Sequence, residues 1–85
     1  MRIEYSPRFL RLYKKLPKAV KDLAEKKEEI FIANPFNNRL RTHKLSGRLQ
    51  KYWAFWLDYR YRIAFSFVKK GVVRFYAIGD HSIYN

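Results

Sequence analysis

The sequence predicts an α+β domain of order β-α-α-β-β-β: a small, mostly antiparallel sheet with a helical hairpin packed on one face. Three observations carry that reading. Apolar residues recur at helical spacing as far as Asn34-Pro35. From Gln50 onward the chain turns to β-branched and aromatic residues. No linker, repeat or composition break divides it, so residues 1–85 form one domain.

Residues 2–5 read as a short first strand. Ser6-Pro7 then opens a helix, because a hydroxyl can cap free backbone N–H groups and proline suits the first helical position. Phe9, Leu12, Tyr13 and Leu16 form its apolar stripe among Arg8, Arg11, Lys14 and Lys15. Pro17 ends that helix and opens the next, which carries Val20, Leu23, Ala24, Ile30 and Phe31 on one face. This second helix stops at Asn34-Pro35, since proline disfavours a helical residue before it. The polar, basic segment 36–47 reads as a loop.

Strands are expected at 51–57, 61–68 and 72–79, with turns at 58–60 and 69–71. A three-residue second turn, with Gly71 left-handed, pairs Val68 with Val72, Ser66 with Arg74, Ala64 with Tyr76, and Arg62 with Ile78. One face then holds Tyr61, Ile63, Phe65, Phe67, Val73, Phe75 and Ala77 for the core. The other holds Arg62, Ser66, Arg74 and Tyr76, and is expected to be open and basic. A two-residue turn would mix the faces, setting Arg74 opposite Phe67.

Nineteen Lys and Arg against seven Asp and Glu leave a formal charge of +12, a field that attracts polyanions. Nucleic acid is the first partner class, an anionic membrane the second, an acidic protein the third. No apolar run is long enough to span a membrane and no signal peptide is visible, so no membrane role and a cytoplasmic location are expected. The absence of cysteine excludes disulfides, thiolate zinc sites and Cys nucleophiles. Ser-His-Asp sets, paired catalytic carboxylates, P-loops and dinucleotide fingerprints are missing too.

The open sheet face offers Arg62, Arg74 and Tyr76; strand ends add Arg60, His81 and Tyr84. The preceding loop adds Arg39, Arg41, His43, Lys44, Arg48 and Lys51. Cations interleaved with aromatics suit single-stranded RNA, whose phosphates take the charge while unstacked bases lie on rings or guanidinium planes. Any one arginine could simply solvate the sheet, but so large a set with so few acids points to anion binding. Trp53 shares a strand face with Phe55 and Leu57, leaving Trp56 on the other with Tyr52 and Ala54. There it is either a packing residue at the rim or a stacking platform. His81 is either a proton-transfer residue or a turn histidine bonded to Asp80 or backbone; His43 has the look of a loop surface residue. Two lone histidines without cysteines are poor grounds for a metal site, so no metal or other cofactor is expected.

Across nearly its whole length the chain resembles the RelE/ParE toxin superfamily, within it the RelE and YafQ-like messenger-RNA interferases. The resemblance runs through Glu4-Tyr5-Ser6-Pro7-Arg8-Phe9-Leu10, Lys15-Leu16-Pro17, Asn34-Pro35-Phe36 and His43-Lys44-Leu45-Ser46-Gly47. It continues through Asp58-Tyr59-Arg60-Tyr61-Arg62-Ile63 and closes with Ile78-Gly79-Asp80-His81-Ser82-Ile83-Tyr84. It implies a ribosome-dependent, metal-independent endoribonuclease that cuts messenger RNA in the A site. The substrate 2′-hydroxyl attacks the neighbouring phosphate and leaves a 2′,3′-cyclic phosphate. It also implies a cognate acidic antitoxin. By resemblance His81 is the principal proton-transfer residue, Arg62 and Arg60 stabilise phosphate, and His43 is a second acid or base. Lys44, Arg48, Lys51, Trp56, Arg74, Tyr76 and Tyr84 make up the substrate contacts. Where YafQ-like members carry a second histidine and an acidic residue, this chain has Trp56 and Arg60, which tilts the site toward the more cationic RelE arrangement. Two rivals stand beside this reading: a ParE-like gyrase poison, and a non-catalytic RNA- or ribosome-binding module indifferent to loss of His81.

Overall fold

The computed structural model describes residues 1–84; of the single domain expected over 1–85, Asn85 alone lies outside the described residues. The strands are β1 (Arg2–Tyr5), β2 (His43–Lys44), β3 (Trp53–Trp56), β4 (Arg62–Lys69) and β5 (Val72–Gly79). The helices are α1 (Pro7–Lys14) and α2 (Lys18–Ala33), and short 3-10 turns occupy Asn38–Leu40, Gly47–Leu49 and His81–Tyr84. The sheet runs β1-β5-β4-β3-β2, with β1 parallel to β5 and the remaining pairs antiparallel. Besides the 3-10 turns, one strand is new relative to the sequence reading: β2 forms inside the expected loop 36–47 and closes the sheet edge against Trp53 and Ala54.

Local chemistry sets the helix ends. The Ser6 hydroxyl accepts from the Phe9 N–H at 3.0 Å, capping α1, and donates to the Tyr76 carbonyl at 2.8 Å, tying the cap to β5. Pro17 separates the helices as expected. On the helix side of the sheet, Phe9, Ala24 and Phe31 meet Phe55, Leu57, Ile63, Phe65, Val73, Phe75 and Ile78. Phe31 is the hub: it is 0% exposed, stacks on Phe55 at 4.7 Å, and meets Phe65 and Phe75 edge-on at 4.9 and 5.4 Å.

The β4–β5 register departs from the expected one at both ends. Ser66 faces Arg74 as anticipated, but Lys69 faces Val72, Ala64 faces Ala77, and Arg62 faces Gly79. Register shifts between Phe67 and Lys69 and between Ala64 and Phe65 insert Val68 and Tyr76 as extra residues. The turn is therefore shorter than expected, and the bulge at Val68 restores the face separation that a two-residue turn would have lost. The bulge at Tyr76 corrects the face assignment. Ile78, not Ala77, joins the helix-side core, while Ala77 lies with Ala64 beneath Ile83 on the other face. Burying the larger Ile78 against the helices removes more apolar area from water, and the small Ala77 leaves room for Ile83.

The second face is consequently not open at its centre. Ala54, Ala64 and Ala77 form a floor of small residues, all buried. Ile83, Tyr84, Tyr76 and Leu12 pack around Ala64 and Ala77. Among the described residues no helix is long and apolar enough to cross a membrane. Replacing Phe31 by Ala is expected to lower stability by roughly 3–5 kcal/mol. That is a large share of the ~5–15 kcal/mol typical of a domain, so urea denaturation should show a native baseline shortened or lost.

Candidate active site

Where β4 begins and β5 ends, the loop and strand termini gather the cations. The Asp58 carboxylate accepts from the backbone N–H groups of Arg60 and Tyr61 at 2.8 and 2.7 Å, and this local turn delivers the chain into β4. Arg62, the first residue of β4, faces Trp56 across the β3–β4 pair. Its guanidinium carbon lies 4.2 Å from the Trp56 ring centroid, and Nη2 donates to the Tyr59 carbonyl at 3.1 Å. The sequence reading put Arg62 on an open face; it is only 7% exposed. Its Nη1 is buried without a hydrogen-bond partner, as is the Tyr84 hydroxyl. Burial pushes the Tyr84 phenol above its ordinary range, and the Arg62 charge opposes that shift.

The C-terminal turn His81–Tyr84 is folded back over the alanine floor. Gly79 makes this possible. A Cβ there would stand 2.7 Å from Ile83 Cγ2, so any larger residue would lift the turn from the sheet. The Asp80 carboxylate accepts from the Ser82 N–H at 2.9 Å rather than from the His81 ring. The Ser82 hydroxyl and then its N–H hold the Asp80 carboxyl below the usual range, and the charges of Arg60 and His81 add to this. Tyr59, Arg60, Asp80, His81, Ser82 and Tyr84 line an open cleft of about 820 Å³. The His81 and Tyr84 rings meet edge-on at 5.8 Å. On its other side Tyr84 borders a second hollow of about 290 Å³ with Leu45, Ser46, Arg48 and Leu49.

The structure thus brings Arg60, His81 and Tyr84 into one cleft, with Arg62 beside Tyr84 and Arg48 in the adjoining hollow. Trp56 borders the site through Arg62. His43 is exposed on the edge strand, paired with Ala54 and so on the same sheet face, but it does not line the cleft. Its Nδ1 lies 2.9 Å from the Arg41 carbonyl, which can only accept, so Nδ1 is the donor of that contact and Nε2 has no part in it. Lys51 and Tyr76 belong to a neighbouring ladder: Lys51 lies over Tyr52, Tyr52 stacks on Tyr76 at 4.7 Å, and Arg8 caps Tyr76 at 5.3 Å. Lys44 points over Trp53 on the helix-side face. Arg74 is committed to Glu4 at 2.9 Å. Both stand outside the cleft.

The sequence reading names Arg41 among the loop cations but gives no role to Arg8 or Tyr59. Arg8 reaches the face from α1, with Nη2 3.5 Å from the Ile83 carbonyl, a contact of two segments far apart in the chain. Only Arg2, Lys18 and Arg74 make ion pairs among the described residues, so Arg60 and Arg62 are in none, although the Asp80 carboxylate shares the cleft with Arg60. A third, apolar hollow of about 250 Å³ between the helices carries Glu25 and Glu28 and no cation. Burial and a bond to Glu28 drive the Tyr5 phenol there well above its ordinary range.

Fold and cleft together define a small α+β domain with an acid-poor, cationic site at one end of its sheet. No protein-family model matches the chain, and no curated protein does. Solved structures do. YafQ from E. coli strain BL21(DE3) superposes with a TM-score of 0.81 at 20% identity, covering 99% of this chain and 98% of that one. In the E. coli DinJ–YafQ toxin-antitoxin complex the values are 0.73 and 21%, over 95% and 92% of the two chains. The archaeal RelE–RelB complex from Pyrococcus horikoshii OT3 gives 0.73 and 19%, over 93% and 92%. The chain has the fold of the RelE/YafQ-like toxins.

Arg62 yields a direct energetic test. A desolvated cation–π contact is worth about 2 kcal/mol and a charged hydrogen bond about the same, against several kcal/mol to bury the ion. Arg62→Met, which keeps the stacking area and removes the charge, is expected to leave stability unchanged or raise it by up to about 1 kcal/mol in urea denaturation. A loss beyond about 2 kcal/mol would make the guanidinium a structural element instead.

Proposed function

We propose that this protein is the toxin of a toxin-antitoxin pair and an endoribonuclease that cuts messenger RNA on the ribosome by the substrate's own 2′-hydroxyl. The observation that carries the reading is the buried Arg62, in no ion pair, beside the Tyr84 that lines the His81 cleft, on a molecule of charge +12. Attack of the 2′-oxygen on the adjacent phosphorus forms the cyclic phosphate and breaks the bond to the 5′-oxygen. One proton leaves the 2′-hydroxyl, and one arrives on the departing oxygen. His81, exposed at the cleft, is the group to move them. Arg62 and Arg60 meet the charge that builds on the phosphate oxygens. Arg48 takes a flanking phosphate across Tyr84, and Lys51 and Tyr76 extend the track. His43 shares the face and offers Nε2 as a second proton carrier. Arg74 and Lys44 have no part in this assignment.

An open cationic cleft also calls for a guard. YafQ and RelE are each solved with a partner, DinJ and RelB. By the same logic an acidic, partly disordered segment of a cognate antitoxin would fold onto this surface and neutralise the field around His81 and Arg62.

Primer extension on messenger RNA in a cell-free translation reaction tests the reading. Discrete, ribosome-dependent cuts are expected from wild type, reduced at least about a hundredfold by His81→Ala and by Arg62→Ala, as for loss of a proton-transfer or charge-stabilising group. Normal translation with uncut messenger would end the nuclease reading and turn attention to DNA gyrase. Cuts that persist undiminished in His81→Ala would remove the histidine from the chemistry.

A further inference from the structure

Two guanidinium groups share one ring beside the cleft. The guanidinium carbon of Arg62 lies 4.2 Å from the Trp56 centroid and that of Arg41 lies 4.6 Å from it. Their settings differ sharply. Arg62 is buried and fixed by the Tyr59 carbonyl, whereas Arg41 is exposed and makes no ion pair among the described residues. Arg41 is also the one non-glycine residue with positive φ among the described residues, at 51°. That left-handed conformation, uncommon for a residue with a Cβ, ends the turn Asn38–Leu40 and sends the Arg41 carbonyl to His43 Nδ1. The backbone under Arg41 is thus tied in place, while its guanidinium is held by the ring contact alone.

Such a contact is easily exchanged. Stacking of a nucleobase on an aromatic ring is worth more than a solvent-exposed cation–π contact. A released guanidinium gains in turn by taking a phosphate through two parallel hydrogen bonds. We propose that Trp56 is a nucleobase subsite capped by Arg41 in the free protein, and that Arg41 passes to an RNA phosphate when a base replaces it. The inference rests on the RNA reading above and adds a base contact and a phosphate contact to it. Arg62 stays in place during the exchange, because its own hold is on the Tyr59 carbonyl as well as the ring. The same exchange places the loop of His43 against the substrate.

A fully 2′-O-methylated single-stranded RNA oligonucleotide, which has no free 2′-hydroxyl and cannot be cut, is the probe. Fluorescein-labelled, it is titrated by anisotropy across a salt series onto wild type, Arg41→Ala and Trp56→Leu. Trp56 emission is followed in Trp53→Phe, where it is the sole indole. The RNA is expected to quench Trp56. Arg41→Ala should keep the quench and lower the log–log salt slope by about 0.7, one single-strand phosphate contact. Trp56→Leu should weaken binding about tenfold with its slope unchanged. Absence of binding, binding that leaves Trp56 emission untouched, or an unaltered slope in Arg41→Ala would each overturn the proposal. Quenching by this uncuttable RNA, combined with uncut messenger in translation, would keep the subsite and sink the nuclease reading alone.

Discussion

A guanidinium keeps its charge at any pH a protein meets, so burying one without a carboxylate leaves a penalty that neighbouring contacts must offset. Arg62 is in that position, and much of the surrounding architecture follows from it. The β3–β4 register sets Trp56 opposite it. The turn built on Asp58 brings the Tyr59 carbonyl within reach of Nη2. Tyr84 lies close enough that the arginine's charge acts on its phenol. An acid in this shell would relieve the penalty and would also cancel the field a phosphate needs. The arrangement thus favours a pre-set cation over local stability, the balance that the proposed function calls for.

The second constraint is steric. On the proposed function His81 acts from a short 3-10 turn, and that turn has to be held in place. Here Ile83 does the holding: it is buried over Ala64 and Ala77, and Gly79 gives it the space it occupies. Burying such a side chain is worth about 1.5–3 kcal/mol, enough to order a short turn that has few backbone bonds of its own. The floor exists because the bulge at Tyr76 rotates Ala77 out of the helix-side core, and the Ser6 hydroxyl fastens that bulge by its carbonyl. A helix cap near the N-terminus therefore helps to shape the seat of a turn at the other end of the chain.

Much of this was legible from residue order alone, and the boundary is physical. The opening β-α-α order, both helix stripes, the Pro17 between the helices and the strand 72–79 follow from local periodicity and turn chemistry, and the structure has them; the two-residue β2 does not follow, being too short to leave a pattern. The opposite facing of Trp53 and Trp56 follows from strand alternation in the same way. The bulges do not, because alternation assumes an unbroken register, and a bulge is chosen by what packs on each face. The open face was misjudged for the same reason: nothing local says that Ile83 and Tyr84 fold back over it. Arg62 was named for its charge, while its burial depends on Trp56, Tyr59 and Tyr84 meeting it in space. Arg74 looked equivalent on its strand, yet Glu4 on the parallel neighbour β1 claims it. Arg8 and Arg41 reach the site only through tertiary contacts, although the left-handed backbone at Arg41 marks that position once the fold is known.

On the proposed function the RNA supplies its own nucleophile, and the protein supplies protons and fixed cations. The most direct test is a messenger in which the nucleotide at a mapped cut site carries 2′-deoxyribose, offered to the wild-type protein in a translating ribosome. The account predicts that cutting at that position disappears while neighbouring unmodified sites are still cut, leaving ends with a 2′,3′-cyclic phosphate. Continued cutting at the deoxy position would contradict it, because another nucleophile would then have to attack the phosphate.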